Sequence, residues 1–222
     1  MKDYKTEMHC HTLESSFCGR VTAEDMVMAY VSAGYDTLVI MDHYGFRHRG
    51  KFADADETER FLKGFKAAKK AAGKSINIIL GMEISLEQNP ANDYLVYGDV
   101  ESFVLKYPDM YYNTLPEFCE LAHANGLVVY QAHPFRDEIV TITPAPLDGI
   151  EVFNAHPRHD SRNDIARAWA EHFGKKMISG SDAHQPQDVA RSGIITKTEI
   201  KSAEDIISVL ASEAYELIIP AE

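Results

Sequence analysis

An α/β fold built on a largely parallel sheet, open or closed into a barrel, is what this sequence predicts. Three observations lead there. Short apolar runs alternate with helical patterns along most of the chain. Each of four helical stretches stops at a glycine. Histidines and carboxylates collect at or near the ends of the apolar runs, the edge at which such sheets build their sites.

The strands, in order, are TEMHCH at 6–11, YDTLVIMDH at 35–43, SINIILGMEISL at 75–86, DYLVYG at 93–98, GLVVYQAH at 126–133, GIEVFN at 149–154 and KMISGSDAH at 176–184. Continuous apolar runs of this kind suit strands covered on both faces. Helices are expected at 22–34, 55–73, 114–126 and 160–174, stopping at Gly34, Gly73, Gly126 and Gly174. Thr22, Thr114 and Asp160 or Ser161 are the expected N-caps. The C-terminal stretch 190–218 reads as a last strand, a helix and a short closing strand. With no linker, low-complexity tract or repeat in view, 1–222 is expected to be a single domain.

Composition narrows the function classes. No run approaches the ~18 apolar residues of a membrane span, and MKDYKTE lacks the apolar core of a secretory signal, so a cytoplasmic address is expected. Three cysteines without a C-x-x-C pair argue against a disulfide framework and a zinc finger. A net charge of −12 repels nucleic acid at long range, which disfavours that partner while leaving it open. The GKS of AAKKAAGKS lacks the first glycine of a phosphate-binding loop and continues a helix, so Gly73 reads as a cap. Lys63, Lys66, Lys69, Lys70 and Lys74, with RHRGK at 47–51, read as a solvated basic face, with a local patch that steers a phosphorylated ligand as the alternative. His123, His172, Cys119 and Trp169 are expected to be structural or exposed. The oligomeric state stays open.

Ten histidines matter more than the overall charge, because imidazole is the commonest metal ligand. In a strand, residues two apart project to one face, so His9 and His11 can reach one ion while Cys10 points away. Asp182 and His184 in GSDAH repeat that spacing, with Gly180 allowing a tight turn. Glu83 directly follows INIILGM, where burying a carboxylate is costly without a cation or donors. His43 in MDH and His133 in AHP end apolar strands as well. Singly, each is a core histidine with satisfied hydrogen bonds; as a set they favour a metal site. Mixed imidazole and carboxylate ligation suits zinc, manganese or iron.

Taken in order, H-x-H at 9–11, D-H at 42–43, GMEIS around Glu83, AHP around His133, EVFN at 151–154 and GSDAH at 180–184 resemble the motifs of the PHP (polymerase and histidinol phosphatase) superfamily of metal-dependent phosphoesterases. The resemblance spans nearly the whole chain. It implies a distorted (β/α)7 barrel with two or three divalent ions at its mouth. It implies His9, His11, Glu83 and Asp182 on one ion, Glu83 bridging to a second held also by His133, and His43 with His184 on a third. Two departures stand out. Asp93 occupies a place where many members have histidine, and could ligate the second ion as a carboxylate. The third site's usual histidine or aspartate falls on Cys18 when aligned on Gly19, or on Phe17 when counted from His11.

Clustered ions lower the pKa of a bridging water, supplying hydroxide near neutral pH, and neutralise charge on a phosphoryl group. A small phosphorylated metabolite or nucleotide is therefore the expected substrate, with histidinol-phosphatase-like hydrolysis the nearest analogy. Hydrolysis of nucleic-acid ends, hydrolysis of a non-phosphate bond and a non-catalytic metal-binding module are the alternatives. Asp182 and His184 are the catalytic candidates, with His43 and His156 further proton donors to a leaving group. Arg158 and Arg191, with His156, are the candidates to hold substrate, and Arg20 a weaker one.

Overall fold

The structure is a computed structural model and describes residues 2–48 and 56–220. Of RHRGK, positions 49–51 lie outside the described residues, as does position 55 at the start of the second expected helix. The elements in chain order are β1 (Tyr4–Cys10), α1 (Ala23–Ser32), β2 (Thr37–Ile40), β3 (His43–Gly45), α2 (Glu57–Ala72), β4 (Asn77–Leu80) and β5 (Met82–Leu86). They continue as β6 (Asn89–Tyr97), α3 (Val100–Lys106), α4 (Leu115–Ala124), β7 (Val128–Gln131), β8 (Gly149–Asn154), α5 (Asn163–Phe173), β9 (Lys176–Gly180), β10 (Gly193–Thr196), α6 (Ala203–Ser212) and β11 (Tyr215–Ile218).

Local chemistry explains most of these boundaries. Thr22 accepts from Asp25 N at 3.1 Å, and the Glu117 carboxylate accepts from Thr114 N and Oγ1 at 2.8 and 2.7 Å, so α1 and α4 begin as expected. Gly34, Gly73, Gly126 and Gly174 all take positive φ just beyond their helices, which a residue with a Cβ resists. α5 differs. Its N-cap is Arg162 in the left-handed region (φ 47°), and Asp160 instead accepts from Arg162 N at 2.9 Å. The short helix α3 is an addition to the expected set.

The fold is mixed α/β. One sheet runs β11-β10-β1-β2-β4 and the other β3-β5-β6-β7-β8-β9. The runs at 35–43 and 75–86, expected as single strands, are each divided: β2 pairs with β4 and β3 with β5, all parallel. Gly81 N donates to Ile40 O at 2.9 Å and Glu83 N to Asp42 O at 3.2 Å between the paired segments. At the other margin Cys10 forms a parallel bridge with Ala183, just beyond β9.

The sheet is less parallel than expected. β6 runs antiparallel to both β5 and β7, and β10 antiparallel to β1 and β11. The reversal of β6 accounts for Asp93, which opens its apolar run where the other polar residues close theirs. Because β6 is turned around, its beginning lies at the edge where β3 and β5 carry His43 and Glu83, and Asp93 pairs with Ser85.

The core divides accordingly. One apolar cluster joins the helices to the strands, with Met26, Tyr30, Phe61 and Phe118 against Leu38, Ile40 and Ile84. A second is made mainly of strand side chains, including Met8, Val39, Leu95, Tyr97 and Tyr130, together with Ile206 and Leu210 of α6. Met8 and Cys10, two apart, belong to different clusters. The register of β1 on β2 shifts between Glu7 and Cys10, breaking simple alternation. Cys10 is fully buried among helix-facing residues and donates to Val39 O at 3.3 Å, the structural role expected of it.

Gly180 serves close approach rather than a turn. A Cβ there would stand 2.5 Å from His9 Cβ and 2.8 Å from Glu151 Oε1. Gly180→Ala is therefore expected to destabilise the protein by about 1–3 kcal/mol, the usual cost of overpacking a filled interior. Urea unfolding measures this; an unchanged midpoint would show that β1 and β8 can retreat from β9.

Candidate metal centre

Four atoms converge where β1, β5 and the segment after β9 meet. His9 Nε2 and His11 Nε2 are 3.1 Å apart. Glu83 Oε2 lies 3.6 and 3.4 Å from these two nitrogens, and Asp182 Oδ1 lies 3.5 and 3.2 Å from them. Ligands ~2.0–2.1 Å from a tetrahedral ion stand ~3.3–3.4 Å from one another. All four side chains are at most 1% exposed.

The surrounding hydrogen bonds fix which imidazole nitrogens can ligate. His9 Nδ1 is 2.9 Å from Glu151 Oε1, so the ring donates there and its Nε2 faces inward; burial works against a charge on the ring, but Glu151, Asp182 and Glu83 hold it well above its ordinary pKa, and an ion binding at Nε2 would displace a proton. His11 Nδ1 is 3.3 Å from Ser16 Oγ, whose own proton goes to Asp42 Oδ1 at 2.6 Å. His11 therefore turns an Nε2 lone pair inward. Two imidazole nitrogens and two carboxylate oxygens facing one another at these distances need a shared proton or a cation among them, and this donor set fits a divalent ion.

Glu83 reaches in two directions. Its Oε2 is 2.8 Å from His43 Nδ1, and its Oε1 is 3.2 Å from His133 Nε2. Burial works against its charge, but His43 and His9 outweigh that and hold the carboxyl well below its ordinary range. Asp182 behaves alike: burial opposes ionisation, and His9, Arg136 and His184 overcome it. Asp93 goes the other way, to about 8, through burial and the nearby Glu83 charge, although Arg47 pairs with its Oδ2. Asp93 Oδ1 and His133 Nδ1 are buried polar atoms without a hydrogen-bond partner. His43, Glu83 and Asp93 form a group of buried donors able to share an ion, as do His11, His43 and His184. His184 Nδ1 lies 2.9 Å from Asp182 O, which leaves its Nε2 as the ligating atom.

His133 and Asp182 both have positive φ, 27° and 49°. For residues with a Cβ this costs of order 1–3 kcal/mol each, and such strain persists only where surrounding contacts hold it. Here the Asp182 side chain is held by Arg136 at 2.6 Å and Asn154 at 3.1 Å, and His133 N by Glu151 Oε2 at 3.0 Å.

The centre opens into a cavity of about 300 Å³ lined by Cys18, His43, Asp93, His133, Asp182 and His184, with Arg47, Arg136, Arg158, His156 and His159 among the other walls. Of the expected substrate holders, Arg158 and His156 line it, whereas Arg191 does not: its Nε donates to Ala155 O at 3.2 Å. Arg20 is outside the lining too, its guanidinium on Phe17 O and Gly19 O. Phe17 is 54% exposed, so of the two positions the loop offered for a third-site ligand, Cys18 faces the cavity. Three residues not singled out in the sequence matter here. Arg136, three residues beyond His133, grips Asp182 and turns a buried Nε without a partner. Arg47 holds Asp93. Glu151, buried in the middle of GIEVFN, orients His9; a carboxylate inside an apolar strand was the signal available for it.

Comparison with known proteins now has a geometry to rest on. The PHP-associated family matches residues 160–215. No curated protein matches the sequence. Among solved structures, PsfC from Pseudomonas syringae PB-5123 is 18% identical with a TM-score of 0.73, the match covering 100% of this chain and 93% of that one. A two-domain protein from Bacteroides vulgatus ATCC 8482, described as containing a predicted PHP-like metal-dependent phosphoesterase, is 19% identical with a TM-score of 0.68, covering 98% and 65%. The lesion-specific endonuclease PfuEndoQ from Pyrococcus furiosus is 14% identical with a TM-score of 0.61, covering 97% and 58%. The family match over 160–215 and the fold shared with these structures agree with the resemblance to the PHP superfamily.

Two outcomes follow from the outer layer of the centre. Glu151→Ala frees the His9 ring and is expected to weaken metal binding about 10–100-fold, the usual effect of losing a ligand's hydrogen-bond partner; competition with a chelator reads it, and an unchanged affinity would deny Glu151 that role. Glu7 underlies the same ligands, its carboxylate accepting from His9 N, Ser181 N, Ser181 Oγ and Tyr30 OH at 2.9, 2.9, 2.5 and 2.7 Å. Burial nonetheless pushes it from 4.5 up to about 7. A raised folded pKa contributes stability that is complete below pH 4.5 and is lost as the pH rises through about 7. In metal-free protein, the urea midpoint of the parent should fall relative to that of Glu7→Gln between pH 5 and pH 8; a difference independent of pH would contradict the shift.

Proposed function

We propose that this chain is a metal-dependent phosphoesterase acting on a small phosphorylated metabolite or nucleotide, in a single domain spanning 1–222. The observation that carries the reading is the meeting of His9 Nε2, His11 Nε2, Glu83 Oε2 and Asp182 Oδ1 at ligand spacing, each imidazole oriented by a partner behind it. The closed (β/α)7 barrel belongs to the same reading. It is supported by the continuation of β2 and β4 into β3 and β5, and by the Cys10–Ala183 bridge that joins β1 of one sheet to the segment after β9, the last strand of the other.

In this reading His9, His11, Glu83 and Asp182 hold a first ion, and Glu83, His133 and Asp93 a second. His43 and His184 belong to a third. Zinc, manganese or iron bound there would supply a water of lowered pKa and positive charge opposite the phosphoryl oxygens. The chain's own residues do the rest. Arg136 and Arg158 line the cavity, and their guanidinium groups are the donors for phosphate oxygens. Asp188 orients Arg158 through two contacts of 2.7 and 2.6 Å, and His156 Nε2 stands 3.0 Å from the same guanidinium. Burial lowers His156 to about 4, so its ring is neutral in ordinary buffers and positions Arg158 instead of giving a proton. His184, with Nδ1 on Asp182 O, keeps Nε2 for an ion or for the leaving oxygen.

The shared fold of the endonuclease favours a second reading, hydrolysis of nucleic-acid ends. Against it stand the small cavity and the net charge of −12. One set of assays separates the two. Protein loaded with each metal in turn is expected to release phosphate from small phosphomonoesters, to lose this with a chelator and regain it on reloading, and to lose at least 100-fold in kcat/KM in His9→Ala. Cleavage of single-stranded oligonucleotides with no release from monoesters would reverse the preference, and no metal-dependent hydrolysis of either would defeat both.

A further inference from the structure

The donors around Glu83 use imidazole and carboxylate, yet one wall of the cavity is sulfur. Cys18 Sγ stands 3.2 Å from His43 Nε2, the nitrogen of that ring turned away from Glu83. His43, His184 and His11 are all buried and bring ring nitrogens within 4.8 Å of one another. The rings of His43 and His184 flank that of His11 with centroids at 4.5 and 4.2 Å. His11 Nε2 is directed at the first site, and His184 Nε2 is left available by the bond from Nδ1 to Asp182 O. His43 and His184 therefore remain as neighbouring imidazole donors, with a thiol at contact distance from the first of them.

The loop that carries the thiol is held in place. Gly19 N donates to Ser16 O at 3.1 Å, Leu13 N to Val21 O at 2.8 Å and Arg20 N to His184 O at 2.8 Å, so the loop is tied directly to the backbone of His184. Gly19 packs so closely that a Cβ there would lie 2.4 Å from Thr12 O. Ser16 is fastened to Asp42 and accepts from His43 N at 3.1 Å. Cys18 is thus presented to His43 and His184 by a fixed turn, on the same cavity wall.

We propose that Cys18, as a thiolate, joins His43 Nε2 and His184 Nε2 in binding the third divalent ion, making this site selective for zinc, cobalt or ferrous iron over magnesium and manganese. Coordination replaces the S–H bond with a sulfur–metal bond and releases one proton to solvent. Thiolate is a soft ligand, and a site that includes one discriminates against the hard ions that carboxylates and water accept. The inference rests on the metal-centre reading above and adds to it the identity of one ligand and the kind of ion it chooses.

Cobalt(II) is the probe, because a cobalt–thiolate bond gives a near-ultraviolet charge-transfer band that imidazole and carboxylate do not. The chelator-stripped protein is titrated with cobalt while bound ions are counted by elemental analysis. The band should grow as the last ion binds. In Cys18→Ser it should be absent, with that ion bound at least ~10-fold more weakly and the earlier ions unchanged. Cobalt bound without any band, or a band of equal intensity in Cys18→Ser, overturns the proposal while the metal centre stands. Protein that binds no cobalt, zinc or manganese defeats the metal centre and this site together. A second measurement needs no variant: zinc should slow alkylation of Cys18 at least tenfold, read from its peptide mass, and an unchanged rate overturns the assignment.

Discussion

Glu83 is a fully buried carboxylate with imidazoles on both of its oxygens, and the rest of the centre is organised around making that burial tolerable. His43, His11 and His9 approach Oε2 and His133 approaches Oε1. It has company of the same sign: Glu7, Asp42, Asp93, Glu151, Asp182 and Asp188 are all at most 2% exposed. Four arginines contact members of this group or the loops around them: Arg47 on Asp93, Arg136 on Asp182, Arg158 on Asp188, and Arg60 on the carbonyls of Ser15 and His43. Isolated buried charge is costly enough that a protein pairs it, neutralises it or coordinates a cation with it. Glu7 and Asp93 meet that cost by holding their protons to about pH 7 and 8, whereas Glu83 and Asp182 stay ionised, so the demand for positive charge is concentrated where these two face the cavity.

The strands meet that demand by geometry. β1 delivers two imidazoles, β3 and β5 place His43 beside Glu83 in register, and β6 reverses so that Asp93 reaches the same edge. Close approach of β9 to β1 and β8 is possible because Gly180 has no side chain. Behind the ligands, Glu151 binds His9 Nδ1, His133 N and Asn154 Nδ2 at once, and Ser16 links His11 and His43 to Asp42. These bonds fix the ring orientations. The strained backbone at His133 and Asp182 is the local cost of aiming both side chains inward.

Much of this was legible in the sequence because the ligands announce themselves by type and place. Two H-x-H-like pairs, a carboxylate after an apolar run and histidines closing strands are rare outside metal sites, and their order carried the resemblance to the PHP superfamily. Strand positions were legible for a related reason, since buried strands are apolar throughout. The division of 35–43 and 75–86 was not, because a continuous apolar run looks the same whether it serves one sheet or two. The direction of β6 was hidden too: apolar periodicity carries no polarity, and only Asp93's place at the wrong end of its run hinted at the reversal. Arg191 and Arg136 show the limit for charged loop residues. Both follow a motif histidine on a mouth-side loop, and only the folded path of each loop separates the one that turns to a backbone carbonyl from the one that grips Asp182.

The net charge of −12 and a site suited to an anionic substrate are compatible once their locations are separated. Many of the negative groups that matter are inside, where ions held among them would invert the sign seen from the cavity, as metal charges do to their surroundings. The cavity wall then adds Arg47, Arg136 and Arg158, leaving the mouth cationic in a chain that is anionic overall. That arrangement suits a compact phosphoester entering a pocket of about 300 Å³ better than a long polyanion, which must lie across the outer surface and meet its charge at every phosphate. In the proposed reading, selectivity by size and by charge would have one origin, the concentration of acid and base in the centre that Glu83 anchors.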